Sequence, residues 1–171
     1  WAGKACSLYT QHGPPQELGR TLLRRGRIYL EADRYWPARE DLQRGIELLE
    51  DESSRDSADQ RLLFEIASGY QLLGLAAEKL TRYQEAVRSQ QKGIELFGRL
   101  QSSAQVAQGR QYLANIYWMS GDYRQALLHQ EEALAMFRRM NDAKLLSMGH
   151  STLGLIRMGL GDIDMAAGHL H

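Results

Sequence analysis

Leu113-Ala114-Asn115-Ile116-Tyr117 is followed by Gly121-Asp122-Tyr123, and then by Ala126 and Ala133. A forward step of about 40 residues meets Leu153-Gly154-Leu155-Ile156, Gly161-Asp162-Ile163 and Ala166. The same step backward meets Leu73-Gly74, Tyr83, Ala86 and Gly93. A further copy, Gly26, Ile28, Tyr29, Tyr35, Ala38 and Gly45, stands about 48 residues before that one. The extra residues fall in the polar stretch 51–59, which lengthens a helix or loop without touching the repeated positions. Self-similarity at this period marks a repeat architecture.

Each copy predicts two antiparallel helices. Only three prolines interrupt a chain rich in Ala, Leu, Glu, Gln and Arg, and no segment alternates long enough to be a strand. The first helix carries a small residue (Gly26, Gly74, Ala114, Gly154) and the second a matching alanine (Ala38, Ala86, Ala126, Ala166). Small residues at paired positions let two helix backbones approach toward the near end of the usual ~8–10 Å range. Gly121 and Gly161 are placed to end a first helix in the left-handed region, with Asp122 and Asp162 capping the second. Pro37 suits the first turn of its helix, and Tyr35, Tyr83, Tyr123 and Ile163 are expected to pack between neighbouring units. Counting back from Gly26 reaches Ala5, so residues 1–13 read as the tail of a preceding repeat. Repeats then follow at 17–50, 58–100, 103–140 and, truncated, 143–171. The chain reads as a window on a longer array.

Composition bounds the function. The hydrophobic and charged fractions, 43% and 25%, are those of a folded chain, which makes wholesale disorder a poor fit. Lys+Arg 21 against Asp+Glu 21 leaves no global field to collect nucleic acid or an anionic membrane. No stretch approaches a membrane span and no charged, apolar leader opens the chain, so a cytoplasmic protein is expected. The single cysteine, Cys6, predicts no internal disulfide and no thiolate metal site, and it reads as a buried thiol. Phosphate-loop, zinc-helix, Cys-x-x-Cys and nucleophile-elbow motifs are missing, so neither catalysis nor a cofactor is expected. His169 and His171, two apart on a helix, point to different sides and make a poor chelate. His129 and His150 lack nearby partners and read as partly buried or groove residues. The densest basic stretch, Arg20, Arg24, Arg25 and Arg27, is opposed as a nucleic-acid site by Glu17, Glu31 and Asp33.

The pattern Leu-Gly/Ala-x-x-Tyr, Gly-x-Tyr, Ala and Ala resembles the tetratricopeptide repeat in a variant of about 40 residues, across nearly the whole chain. HEAT and armadillo units share a comparable period. Glu131 to Asp142 is similar to the arrays of large bacterial signalling ATPases and transcription regulators. Departures are Ala77 and Arg157 where the family prefers Tyr, Thr81 where it prefers Gly, and no early Trp. The resemblance implies an all-α, right-handed superhelical solenoid of antiparallel helix pairs. It implies a protein–protein interaction module, a scaffold whose concave groove takes a peptide or protein; the alternative is the effector-sensing segment of a larger ATPase or transcription regulator. Carried onto this sequence, the groove positions are Arg20, Leu23, Arg27 and Glu31; Ser68, Gln71, Leu75 and Glu78; Gln108, Gln111, Asn115, Trp118 and Met119; and Met148, Ser151, Leu155 and Met158. Trp118 is the expected anchor. The subfamily that clamps a peptide carboxylate with Lys and Asn is matched only at Asn115, with Leu23, Gln71 and Gln111 at the Lys sites.

Overall fold

The computed structural model describes residues 14–53 and 59–161. They form seven α-helices and no strand: α1 (Pro15–Glu31), α2 (Tyr35–Ser53), α3 (Gln60–Lys79), α4 (Tyr83–Arg99), α5 (Ser103–Met119), α6 (Tyr123–Met140) and α7 (Ala143–Gly159). The expectations on Cys6 and the first 13 residues, on Asp162, Ile163 and Ala166, and on His169 and His171 lie outside the described residues. The chain forms two compact units, Trp1–Leu96 and Phe97–His171.

In the first unit, α1 and α2 run antiparallel because their small residues meet in opposite order. A β-carbon on Gly26 would lie 3.2 Å from the carbonyl oxygen of Ala38, whereas one on Gly45 would lie 2.9 Å from that of Gly19. Neither glycine carries a side chain to hold the two backbones apart. The helix pair α3 and α4 repeats the arrangement, with Gly74 against Gln90 and Gly93 against Gln71 and the Ala67 carbonyl. Around these contacts Leu42, Ile46, Leu49, Leu62 and Ile66 are buried. Each such side chain taken out of water contributes roughly 1.5–3 kcal/mol. Ion pairs tie the layers: Arg25 of α1 grips the carboxylate of Asp41 with two N–H donors, and Arg39 of α2 donates to Glu85 of α4 at 2.7 Å.

In the second unit the paired positions are alanines. Ala114 and Ala126 share one cluster with Ile156; Ala107 and Ala133 share another with Leu134, Phe137 and Leu153. The following helix closes in through Gly149, where a β-carbon would stand 2.6 Å from Leu134 Cδ2. Tyr123 packs as its position after the turn predicts: its ring lies 2.7 Å from where a β-carbon on Gly159 would be.

The turns are alike in both units. Gly121 and Gly161 are left-handed as expected, with φ 84° and 81°, and the same conformation is taken by Asp33, Thr81, Gln101 and Asn141. In the five described turns between helices, an amide two or three residues past the helix returns to a carbonyl five positions back, as in Arg82 to Ala77 at 2.8 Å and Asp122 to Tyr117 at 2.9 Å. Asp59, Asp122 and Asp142 then cap α3, α6 and α7 by accepting from backbone amides.

Candidate functional site

The first helices of successive repeats meet side by side within each unit, and an open cavity lies along each meeting. In the first unit it measures about 260 Å³ and is lined from α1 by Arg20, Leu23, Arg24 and Arg27, and from α3 by Phe64, Glu65, Ser68, Gly69 and Leu72. The sequence-predicted Arg20, Leu23, Arg27 and Ser68 come together here. Gln71 and Glu78 do not line it. Gln71 turns toward α4, its Cγ 3.2 Å from a β-carbon position on Gly93, and Glu78 is buried with Lys79 Nζ at 3.1 Å. Phe64 is 42% exposed.

Charge at this cavity is unevenly committed. Arg20 donates to both Glu65 at 2.8 Å and Glu17 at 2.7 Å, and its guanidinium is held there as a structural link. Glu65 also faces Arg61 at 3.6 Å. Arg27 pairs with Glu31 at 3.1 Å, but the two side chains are 69% and 64% exposed, which makes the pair weak and exchangeable. Arg24 is exposed and has no carboxylate partner among the described residues. The basic cluster seen in the sequence is therefore mostly ion-paired.

The second unit holds a cavity of about 380 Å³ with different chemistry: Gln108, Gln111, Tyr112 and Asn115 from α5 face Leu145, Met148, Ser151 and Thr152 from α7. Its lining carries no charged side chain. Gln108, Gln111, Asn115, Met148 and Ser151 are the predicted residues that it brings together. Trp118, Met119, Leu155 and Met158 lie outside that lining and are exposed, Trp118 by 38%. Arg24, Phe64, Glu65, Leu72, Tyr112, Leu145 and Thr152 were not among the predicted positions. The signal available for them was the four-residue step Phe64, Ser68, Leu72 on one helix face.

His129 corrects the expectation that it lacks partners, and His150 is engaged as well. His129 stacks on Tyr117 with ring centroids 5.5 Å apart, and its Nδ1 is 3.4 Å from the Glu132 carboxylate, to which Arg110 donates. Burial pushes its pKa below the ordinary value; Glu132 opposes that and Arg110 reinforces it. Among the described residues no group of three His, Cys, Asp or Glu could hold a metal, and no helix is long and apolar enough to cross a membrane.

Residues 65–139 match the family model described as tetratricopeptide repeat. No curated protein matches the chain by sequence. Among solved structures, BtubC (BKLC) from P. vanneervenii superposes with a TM-score of 0.80 at 21% identity, over 99% of this chain and 70% of that one. The Signal Transduction ATPase with Numerous Domains protein with a tetratricopeptide repeat sensor from Pyrococcus horikoshii gives 0.76 at 19% identity, over 99% of this chain and 25% of that one. A Rap protein complexed with Competence and Sporulation Factor gives 0.72 at 16% identity, over 89% of this chain and 41% of that one. The all-α fold of antiparallel helix pairs is common to them.

Proposed function

We propose that this chain, which matches the tetratricopeptide repeat over residues 65–139, is a non-enzymatic interaction module that holds a peptide or protein partner along the first helices of its repeats. The fold supports a protein–protein interaction role in general. The observation that carries the finer reading is the pair of open cavities between first helices, α1 with α3 and α5 with α7, each bordered by side chains that the core does not use. Helix pairs packed through glycine and alanine are rigid, so the binding surface exists before the partner arrives and little ordering entropy is lost on binding. A Rap neighbour, seen with its factor bound, is consistent with this use of the fold.

A second reading, the effector-sensing segment of a larger regulator, is favoured by one observation: the neighbour from Pyrococcus horikoshii carries its repeats as a sensor, and this chain spans a quarter of its length. The two readings differ in what flanks the repeats.

The test is capture of partners from an extract by the intact chain and by Trp118→Ala. Trp118 is half-exposed while Ile116 beside it is fully buried, so the ring is removable without opening the core. Capture is expected to fall by about tenfold with helical circular dichroism unchanged. Equal capture by Trp118→Ala, and by variants that fill both cavities, would remove the first-helix surface as the binding face.

A further inference from the structure

We infer that the partner segment seated at the first cavity presents a large apolar side chain flanked by carboxylates. The inference rests on the reading of the first helices as the partner-binding face and adds the chemistry of one subsite.

The lining of this cavity combines apolar and basic side chains. Gly69 lets the α3 backbone settle against its neighbours: a β-carbon there would be 3.0 Å from Ile46 Cγ1 and 3.1 Å from Leu23 Cδ2. Leu23, Leu72 and the exposed Phe64 ring supply the apolar part of the lining. Aromatic rings of this kind hold an apolar side chain through area and ring-edge contacts.

Three arginines and one glutamate line the space, and the charges do not cancel in the way that matters for a ligand. Glu65 is consumed by Arg20 and Arg61. Arg24 is uncommitted among the described residues, and the exposed Arg27–Glu31 pair exchanges readily for a better-placed carboxylate. Two guanidiniums thus stand one helical turn apart in a lining that is otherwise partly apolar. A guanidinium takes a carboxylate through two parallel N–H donors, and burying the pair against an apolar anchor strengthens both contacts. A basic segment would be repelled.

The second cavity serves as an internal contrast. With amides, hydroxyls and methionine around it and no charged lining, it offers no preference for carboxylates. The same contrast argues for a peptide over a nucleic acid, because single strands need a basic track along the backbone and here the uncommitted charge is confined to one site.

The experiment pans random dodecapeptides displayed on phage against the 171-residue chain, followed by fluorescence anisotropy on the enriched peptides and on a thymidine oligonucleotide. Enrichment of Asp or Glu within a few residues of Phe, Leu or Trp is expected, with affinity falling about tenfold in the double variant Arg24→Gln, Arg27→Gln and similarly in Phe64→Ser. Circular dichroism of these variants should match the parent, since all three side chains are exposed. Peptides without acidic residues that are nevertheless displaced by Ser68→Arg would overturn the charge rule and leave the first-helix surface standing. Failure to enrich any sequence, or peptides indifferent to every cavity variant, would overturn both. Tighter binding of the oligonucleotide than of any peptide would overturn the inference in favour of nucleic acid.

Discussion

Gly26 and Leu42 are in contact at a distance that leaves no room for a methyl group: a β-carbon on Gly26 would stand 2.7 Å from Leu42 Cγ, and Leu42 is fully buried. In an exposed helix, exchanging glycine for alanine stabilises by about 0.5–1 kcal/mol through the unfolded chain. At Gly26 that gain is outweighed, because Leu42 cannot retreat into a packed core. Gly26→Ala is expected to lower stability by about 1–3 kcal/mol in urea denaturation. Gly98 is the control, lying in α4 with nothing within 4 Å of its β-carbon position. Gly98→Ala should be neutral or stabilising, and equal losses at the two sites would show that the close approach at Gly26 carries no energetic weight.

Gly26 with Ala38, and Ala114 with Ala126, were legible in the sequence because each pair recurs with its helix–turn–helix at a constant step. A second row of contacts, Gly19 with Gly45 and Ala107 with Ala133, was only half legible. The partners on the second helices stood out at the repeat interval, but their mates sit two helical turns before the marked small residues Gly26 and Ala114, where alternation between Gly and Ala hides the recurrence. Gly69 and Gly149 escaped for another reason: they face the second helix of the preceding repeat, so their role depends on how pairs stack. The cavity residues follow the same division. Arg20, Arg27 and Ser68 are positions that the family resemblance carries over; Arg24 and Phe64 stand one turn from Arg20 and Ser68 on the same faces, and the meeting of α1 with α3 is what brings them into the lining.

Gln130 is fully buried and donates Nε2 to the Gly149 carbonyl at 2.8 Å, while its Oε1 has no hydrogen-bond partner. Gln90, forty residues earlier, donates at 3.0 Å to the Gln71 carbonyl and leaves its Oε1 in the same condition. A buried acceptor without a donor forfeits about 1–3 kcal/mol of hydration, roughly what the single bond returns. Gln130→Met should therefore change stability by less than about 1 kcal/mol, whereas Gln130→Glu should cost several kcal/mol by burying a charge. Thermal melts of both decide it; a large loss in the methionine variant would mean that the carboxamide bond to α7 is a principal tie.

Thr81 occupies the left-handed region at φ 58°, the place in the turn where Gly121 stands one repeat later. Its hydroxyl donates to the Leu80 carbonyl at 2.7 Å, which recovers part of the strain of a branched side chain in that conformation. Thr81→Gly removes the strain and adds unfolded-chain entropy, with a net gain expected at about 0.5–1 kcal/mol. Denaturation midpoints that fall in the glycine variant would mean that the hydroxyl bond outweighs the strain.

His129 lies against Tyr117 with its side chain 14% exposed, and burial holds its pKa below the ordinary 6.5. In the unfolded chain it takes up a proton near the ordinary value, while in the fold it stays neutral to lower pH. Between the two values the unfolded state binds more protons, so stability falls as pH drops. The groups facing the ring are Glu132, which favours the charged form, and Arg110, which opposes it. Acidification from pH ~7.5 to ~5.5 should thus lower the urea midpoint, and His129→Gln should flatten that part of the dependence. Parallel pH profiles for the two proteins would show that the imidazole is as easily protonated in the fold as in the open chain, and that its stack on Tyr117 does not exclude the charged ring.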